Sequence, residues 1–147
     1  MIRVRFPTGP FFAATMIRVI GIGKIKDPFY REKAQEYLLR LKKYASVEYI
    51  ERSALPYDLQ NCILLDEHGQ EFSSVEFSKY LQKKMMEEKN ITFILGPAEG
   101  FSKEVLQKGL LRISLSKMTF PNELARVVFL EQMYRACTIM KNEPYHK

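Results

Sequence analysis

At 147 residues, with 46% apolar and 27% charged side chains, the chain has the composition of one globular domain and is too short for two ordinary ones. No apolar run approaches the roughly 20 residues that span a bilayer, so no membrane partner is expected. A net charge of +6 admits polyanions as partners without selecting one.

The tetrapeptide MIRV opens the chain at Met1 and recurs at Met16. Between the two copies, RFPTGPFFAAT holds two prolines and a glycine, with no usable period and no signal-peptide pattern. Residues 1–15 therefore read as an N-terminal extension from an upstream start codon or an appended segment, and residues 16–147 as a single domain. Trimming removes Arg3 and Arg5 and leaves the domain basic. From Met16 onward, MIRVIGI (16–22) is a β-branched run that predicts a strand. Pro28 to Tyr44 spaces Phe29, Ala34, Tyr37, Leu38, Leu41 and Tyr44 as one face of a helix. VEYIER (47–52) alternates as a strand, SALPYDLQ reads as a loop, and CILLDE (62–67) as a strand ending in the turn signal EHGQ. Ser73-x-x-Glu76 is a capping box before a helix. ITFILG (91–96) predicts a strand, SKEVLQKG a short helix stopped at Gly109, and LLRISL (110–115) another strand. Pro121 suits the first turn of a long helix reaching about Met140. Strands and helices alternate, which predicts an α/β fold with a mostly parallel sheet and flanking helices.

Cys62 and Cys137 sit in apolar runs with no ligand-spaced partner, so they read as buried free thiols in a reducing cytosol, and no metal site is expected. GIGK (21–24) lacks the spacing of a phosphate loop and the third glycine of a dinucleotide fingerprint, leaving a tight turn. In a parallel sheet, ligands collect at the carboxyl ends of strands. Three loops fall there: Leu65-Asp66, Gly96-Pro97-Ala98-Glu99-Gly100, and Ser114 to Pro121. Leu115, Met118 and Phe120 have the character to wall an apolar slot, while loop N–H and C=O groups read the edge of a flat ring such as adenine. The last helix is apolar nearly all round, which in a domain this small points to burial against a partner subunit. Glu131 and Arg135 form an (i, i+4) pair on it, compatible with a salt-bridged face or with a phosphate contact.

The stretches SLSKMTFPNELARVVFLEQMYRACTIMKNEPYHK, GKIKDPFYREKAQEYLLRL, LLDEHGQEFSSVEF and ILGPAEGFS together resemble the RlmH-type ribosomal RNA methyltransferases of the SPOUT superfamily. The similarity runs from about Met16 to Lys147. It implies a C-terminal trefoil knot, an exception to the rule that chains do not thread themselves. It also implies a cytoplasmic homodimer packed through the knot helices. The implied reaction is S-adenosylmethionine-dependent methylation at N3 of a pseudouridine in 23S ribosomal RNA, on the assembled ribosome. Carried over by position, the cofactor contacts are Leu65, Gly96, Gly100, Leu115, Ser116, Lys117, Met118, Thr119 and Phe120. Tyr145 and His146 are implied to orient or deprotonate the base, and Arg135 and Lys147 to contact RNA phosphate.

Four departures from the family pattern stand out. Pro97 replaces a glycine and removes a backbone donor; Ala98 stands where a proline is usual; Asn122 stands where a histidine is common. The fourth is the short segment between VEYIER and CILLDE, which leaves no room for a helix the family usually has and is expected to uncover part of a sheet face. Three other readings remain: a superfamily enzyme for another RNA base, a ribosome-binding factor that has lost methyl transfer, and, on the α/β pattern alone, a nucleotide-binding regulatory domain unrelated to RNA.

Overall fold

A computed structural model describes residues 3–5 and 15–147, with side chains from Thr15 onward. In chain order the elements are β1 (Arg3–Arg5), β2 (Met16–Ile22), α1 (Pro28–Leu41), β3 (Ser46–Arg52), β4 (Cys62–Glu71), α2 (Ser74–Glu87), β5 (Asn90–Leu95), α3 (Lys103–Leu106), β6 (Leu111–Ser114) and α4 (Asn122–Met140). The strands form one sheet in the order β1-β3-β2-β5-β4-β6. Five are mutually parallel, as the alternation of elements predicts, and β1 adds antiparallel at one edge with Arg3 opposite Ile50. Three residues assigned to the extension thus pair with the domain's sheet; the remainder of that segment, 1–2 and 6–14, lies outside the described residues.

Period-two alternation assigns the two faces. Ile17 and Val19 of β2, Val47 and Tyr49 of β3, and Ile91 and Phe93 of β5 point to a core closed by α1, α2 and α4. Phe93 and Phe129 meet there with ring centroids 5.0 Å apart. The capping box forms as predicted: Ser73 Oγ accepts from the Glu76 N–H at 3.1 Å and Glu76 Oε1 accepts from the Ser73 N–H at 2.8 Å. That reciprocal pair satisfies two of the donors a helix start leaves open.

The opposite face carries Ile20, Ile22, Leu64 and Ile94. Here the expectation of an uncovered face is corrected. The residues between Arg52 and Cys62 must pass β2 and β5, roughly 14 Å of strand spacing, while also running back along the strands. Nine residues reach about 30 Å when extended, so the segment crosses as a strap. Leu59 and Leu55 on the strap, with Val105 and Leu106 of α3, seal the face; Ile20 is 4% exposed and Ile94 fully buried. Each such aliphatic side chain contributes about 1.5–3 kcal/mol by burial.

A second correction concerns EHGQ, expected as a turn. β4 instead continues through it to Glu71, re-pairing with β6 after an irregularity between Leu65 and Gln70. Gly69 permits this, because a Cβ there would meet the backbone of Arg112 and Ile113 at 2.7 Å. Cys62 and Cys137 are both buried free thiols, and no helix among the described residues is long and apolar enough to cross a membrane.

Candidate active site

The carboxyl ends of β4, β5 and β6 open into a cleft of about 270 Å³ at the N-terminus of α4. Its walls come from the three loops singled out by sequence: Leu65 from the first, Gly96 to Gly100 from the second, and Leu115, Ser116, Met118, Thr119 and Phe120 from the third. Lys117 is the exception among the expected cofactor contacts. Its ammonium points away to Glu71 at 3.7 Å and the side chain is 84% exposed.

The loop from Leu115 to Phe120 is pinned from both sides. Ser116 Oγ accepts from the Met118 N–H at 2.9 Å, and Thr119 Oγ1 donates to Glu67 Oε2 at 2.7 Å. β4 therefore holds the third wall through Glu67, the last residue of the strand predicted over 62–67. Asn122 donates through Nδ2 to the Gly96 carbonyl at 2.7 Å and ties α4 to the second loop. Gly96 itself packs beneath an aromatic ring: a Cβ there would meet Phe101 at 3.0 Å.

Behind the cleft lies a buried ionic network that sequence reading missed. Arg126, 1% exposed, donates through Nη2 to the Ile22 carbonyl at 2.7 Å and through Nη1 to the Gly23 carbonyl at 2.6 Å. Nη1 also lies 3.4 Å from Glu51 Oε2, which accepts from the Ile25 N–H at 2.9 Å and from the Tyr49 hydroxyl at 3.0 Å. Burial holds the Tyr49 phenol well above its ordinary pKa, so it stays a donor. One turn earlier, Glu123 accepts from the N–H groups of Lys26 and Asp27 at 3.0 and 2.9 Å. The start of α4 thus clamps the loop after β2. The GIGK turn follows from this, because a Cβ on Gly21 would meet Arg126 Nη1 at 2.8 Å and Gly23 adopts φ of 97°. The available signal was a lone cation in the apolar stretch ELARVVF.

The C-terminal tail lies at the other end of α4. Arg135 bonds Glu131 through Nε at 2.7 Å and Nη2 at 2.6 Å, and places Nη1 3.0 Å from His146 Nδ1. Its guanidinium also sits 4.8 Å from the Tyr145 ring centroid, and that ring packs edge-on against Tyr134 at 4.7 Å. Arg135 is therefore engaged within the chain, whereas Lys147 is exposed. Burial first, then the Glu131 carboxylate, pushes the Tyr145 phenol up to about 12. Arginine has no acceptor, so in this hydrogen bond His146 Nδ1 accepts from it, which leaves Nε2 as the ring's N–H. Tail and cleft do not meet in one chain. Ala125 is the last residue of α4 on the cleft, Arg135 holds the tail histidine, and the helix rises about 15 Å from one to the other.

A parallel α/β sheet with a ligand-sized cleft at its strand ends and a cation-braced aromatic tail is the layout of an α/β group-transfer enzyme. The chain belongs to the SPOUT methyltransferase family, whose model, described as "Predicted SPOUT methyltransferase", matches residues 54–146. It is similar to ribosomal RNA large subunit methyltransferase H 1 of Clostridium perfringens, 38% identical over 157 residues, covering 89% of this chain and 99% of the relative. The methyltransferase H of Desulfovibrio desulfuricans is 38% identical over 155 residues (91% and 99%), and that of Cytophaga hutchinsonii 41% identical over 147 (85% and 95%). An aligned span of 157 residues exceeds the 147 of this chain, so that relative carries insertions the chain lacks.

Proposed function

We propose that this methyltransferase acts in the cytoplasm as a homodimer, moving the methyl group of S-adenosylmethionine to N3 of a pseudouridine in 23S ribosomal RNA on the assembled ribosome. The observation that carries the reading is the cleft built from the loops of Leu65, Gly96–Gly100 and Leu115–Phe120. Leu65, Leu95, Leu115, Met118 and Phe120 offer apolar walls to an adenine, and the carboxylates of Asp66, Glu67 and Glu99 complement a ligand bearing a sulfonium and an ammonium. The donor supplies an electrophilic methyl carbon and leaves as a neutral thioether. Pro97 contributes no N–H, so the remaining loop amides and the Gly96 carbonyl region carry the polar recognition.

Tyr145 and His146 orient the nucleobase. With its proton on Nε2, His146 donates to a carbonyl oxygen flanking N3 and stabilises the charge that develops as the N3 proton departs to water. Arg135 serves the tail rather than the phosphate: it fixes the imidazole through Nη1 and the Tyr145 ring through its face. Lys147 meets RNA phosphate. The tail histidine is held about 15 Å along α4 from the cleft of its own chain, so the reacting groups come together when a second copy brings its tail across. Leu124, Val128, Glu131 and Arg135 form a partly exposed row along α4 suited to that contact. The trefoil knot implied by the resemblance belongs to the same reading, with α4 packed between α1 and α2 after the chain leaves β6.

The test is transfer of labelled methyl from S-adenosylmethionine to ribosomes lacking the modification, followed by digestion to nucleosides. N3-methylpseudouridine is the expected product, from ribosomes and not from transfer RNA. Label in a different nucleoside, or in transfer RNA alone, would reassign the substrate.

A further inference from the structure

Four tyrosines and three cations form one cluster where the last turn of α1 meets the last turn of α4. Arg40 lies with Cζ 5.1 Å from the Tyr37 ring centroid and 5.5 Å from that of Tyr134. Lys43 and Lys141 flank the Tyr44 ring, with Nζ at 5.2 and 5.5 Å. The rings touch in series: Tyr44 to Tyr134 at 5.9 Å, Tyr37 to Tyr134 at 6.2 Å, and Tyr134 to Tyr145 at 4.7 Å. The series therefore ends on the tail. Tyr44, 1% exposed, is anchored by donating its hydroxyl to Glu143 at 2.5 Å, whereas Arg40, Lys43 and Lys141 are exposed.

We propose that this cluster is a docking surface for the ribosomal RNA backbone beside the target nucleotide, with Arg40, Lys43 and Lys141 contacting successive phosphates. The proposal rests on the ribosomal RNA reading above and deepens it. Three properties carry it. First, the charge is complementary to a polyanion: of the nearby carboxylates, Glu143 accepts from Tyr44, Glu131 holds Arg135, and Glu36, 3.8 Å from Arg40, is shared with Lys33 at 3.9 Å. Second, ring seats restrict the cations before any ligand arrives. A long basic side chain normally loses rotamer freedom when it binds, and a seated one loses less. The Arg40 guanidinium, held by its face, still presents its N–H edge, which suits a phosphate. Third, continuity with Tyr145 places the cations beside the groups assigned to the base, so one RNA strand runs from the patch into the tail. A solvated face made only for solubility would need none of these seats.

The test uses the full chain with Arg40→Gln, Lys43→Gln and Lys141→Gln combined, compared with wild type for affinity to assembled ribosomes across a salt series. Wild-type methyl transfer to the same ribosomes runs alongside and reports on the underlying reading separately. Loss of three phosphate contacts is expected to weaken ribosome binding on the order of 10- to 100-fold near 0.1 M salt. It should also make the slope of log K against log salt shallower by about 2. kcat/KM falls through KM, with kcat at saturating ribosome preserved and S-adenosylmethionine binding unchanged. If the triple variant unfolds, Lys43→Glu replaces it, since that residue is exposed and its loss leaves Arg40 and Lys141 seated. Unchanged affinity and slope in a folded variant overturn the proposal. So does weakened binding with an unchanged slope, which would assign the surface to a ribosomal protein.

Discussion

A histidine in a C-terminal tail becomes chemically defined only through what holds it. His146 Nδ1 is 3.0 Å from Arg135 Nη1, and the rest of that guanidinium grips Glu131 through two short bonds. Removing the imidazole with His146→Ala should lower kcat by about 10²–10⁴-fold, the range for a positioned proton donor or acceptor, leaving S-adenosylmethionine affinity intact by calorimetry. Arg135→Lys separates position from charge. An ammonium cannot reach Glu131 and His146 together as a planar fork does. The variant should therefore lose kcat while KM for ribosomes stays near wild type, whereas a phosphate contact would show the reverse. Tyr145 is tested by pH. Its folded-state pKa is raised to about 12, so the phenol stays protonated through the neutral range. Tyr145→Phe, which keeps the ring against Tyr134, should leave the shape of the pH–rate profile between pH 6 and 9 unchanged; loss of an ionisation there would refute the assignment. At high pH the sign is set by the same shift. Unfolded tyrosine ionises from about 10, so the stability Tyr145 contributes is complete below that and is lost as pH rises toward 12. The loops around this chemistry were legible because glycine, proline and apolar residues cluster at strand ends. The engagement of Arg135 was visible only as its spacing from Glu131, since sequence does not show where a guanidinium's third nitrogen points.

At the level of elements, α4 carries the most. Its first two turns hold the loop after β2 through Glu123 and Arg126 and the loop after β5 through Asn122, so one helix start fixes the second wall of the cleft and the loop after β2 together. Arg126→Met keeps length and apolar packing but removes the buried cation of Glu51, leaving that carboxylate only the more exposed Arg31 guanidinium at 3.5 Å. The expected cost is about 3–5 kcal/mol in chemical denaturation. Adding Glu51→Gln should recover part of that loss, because the penalty comes from the abandoned charge; strictly additive costs would show that the two residues do not act as a pair. The strands and helices were readable from periodicity because their buried faces are strictly patterned, as in Ile17-Val19 against Ile20-Ile22. Two features were not readable. EHGQ has turn chemistry, yet β6 lies close enough over Gly69 to recruit it into a strand. The strap has no period at all, and only the geometry of crossing two strands in nine residues makes it extended and places Leu55 and Leu59 on the sheet.

The whole molecule has a topological consequence that the isolated chain does not satisfy. Its cleft and its tail stand at opposite ends of α4, and a rigid helix that is partly or fully buried along its length offers no hinge to bring them together. The proposed two-fold pair of chains would resolve this by setting the α4 helices antiparallel, with each tail toward the other copy's cleft. The prediction is complementation. Gly96→Val should close the cleft by displacing Phe101, whose ring lies 3.0 Å from the Cβ position, and leave the tail untouched. His146→Ala should disable the tail and leave the cleft intact. Each variant alone is expected to be inactive on ribosomes while remaining dimeric by sedimentation. Random assembly of the two makes about half the dimers mixed, and each mixed dimer has one complete site of two, so activity should return to about a quarter of wild type. Mixed dimers with no activity would place cleft and tail of the same chain in one site, and would require α4 or the tail to close a separation of about 15 Å to meet the cofactor.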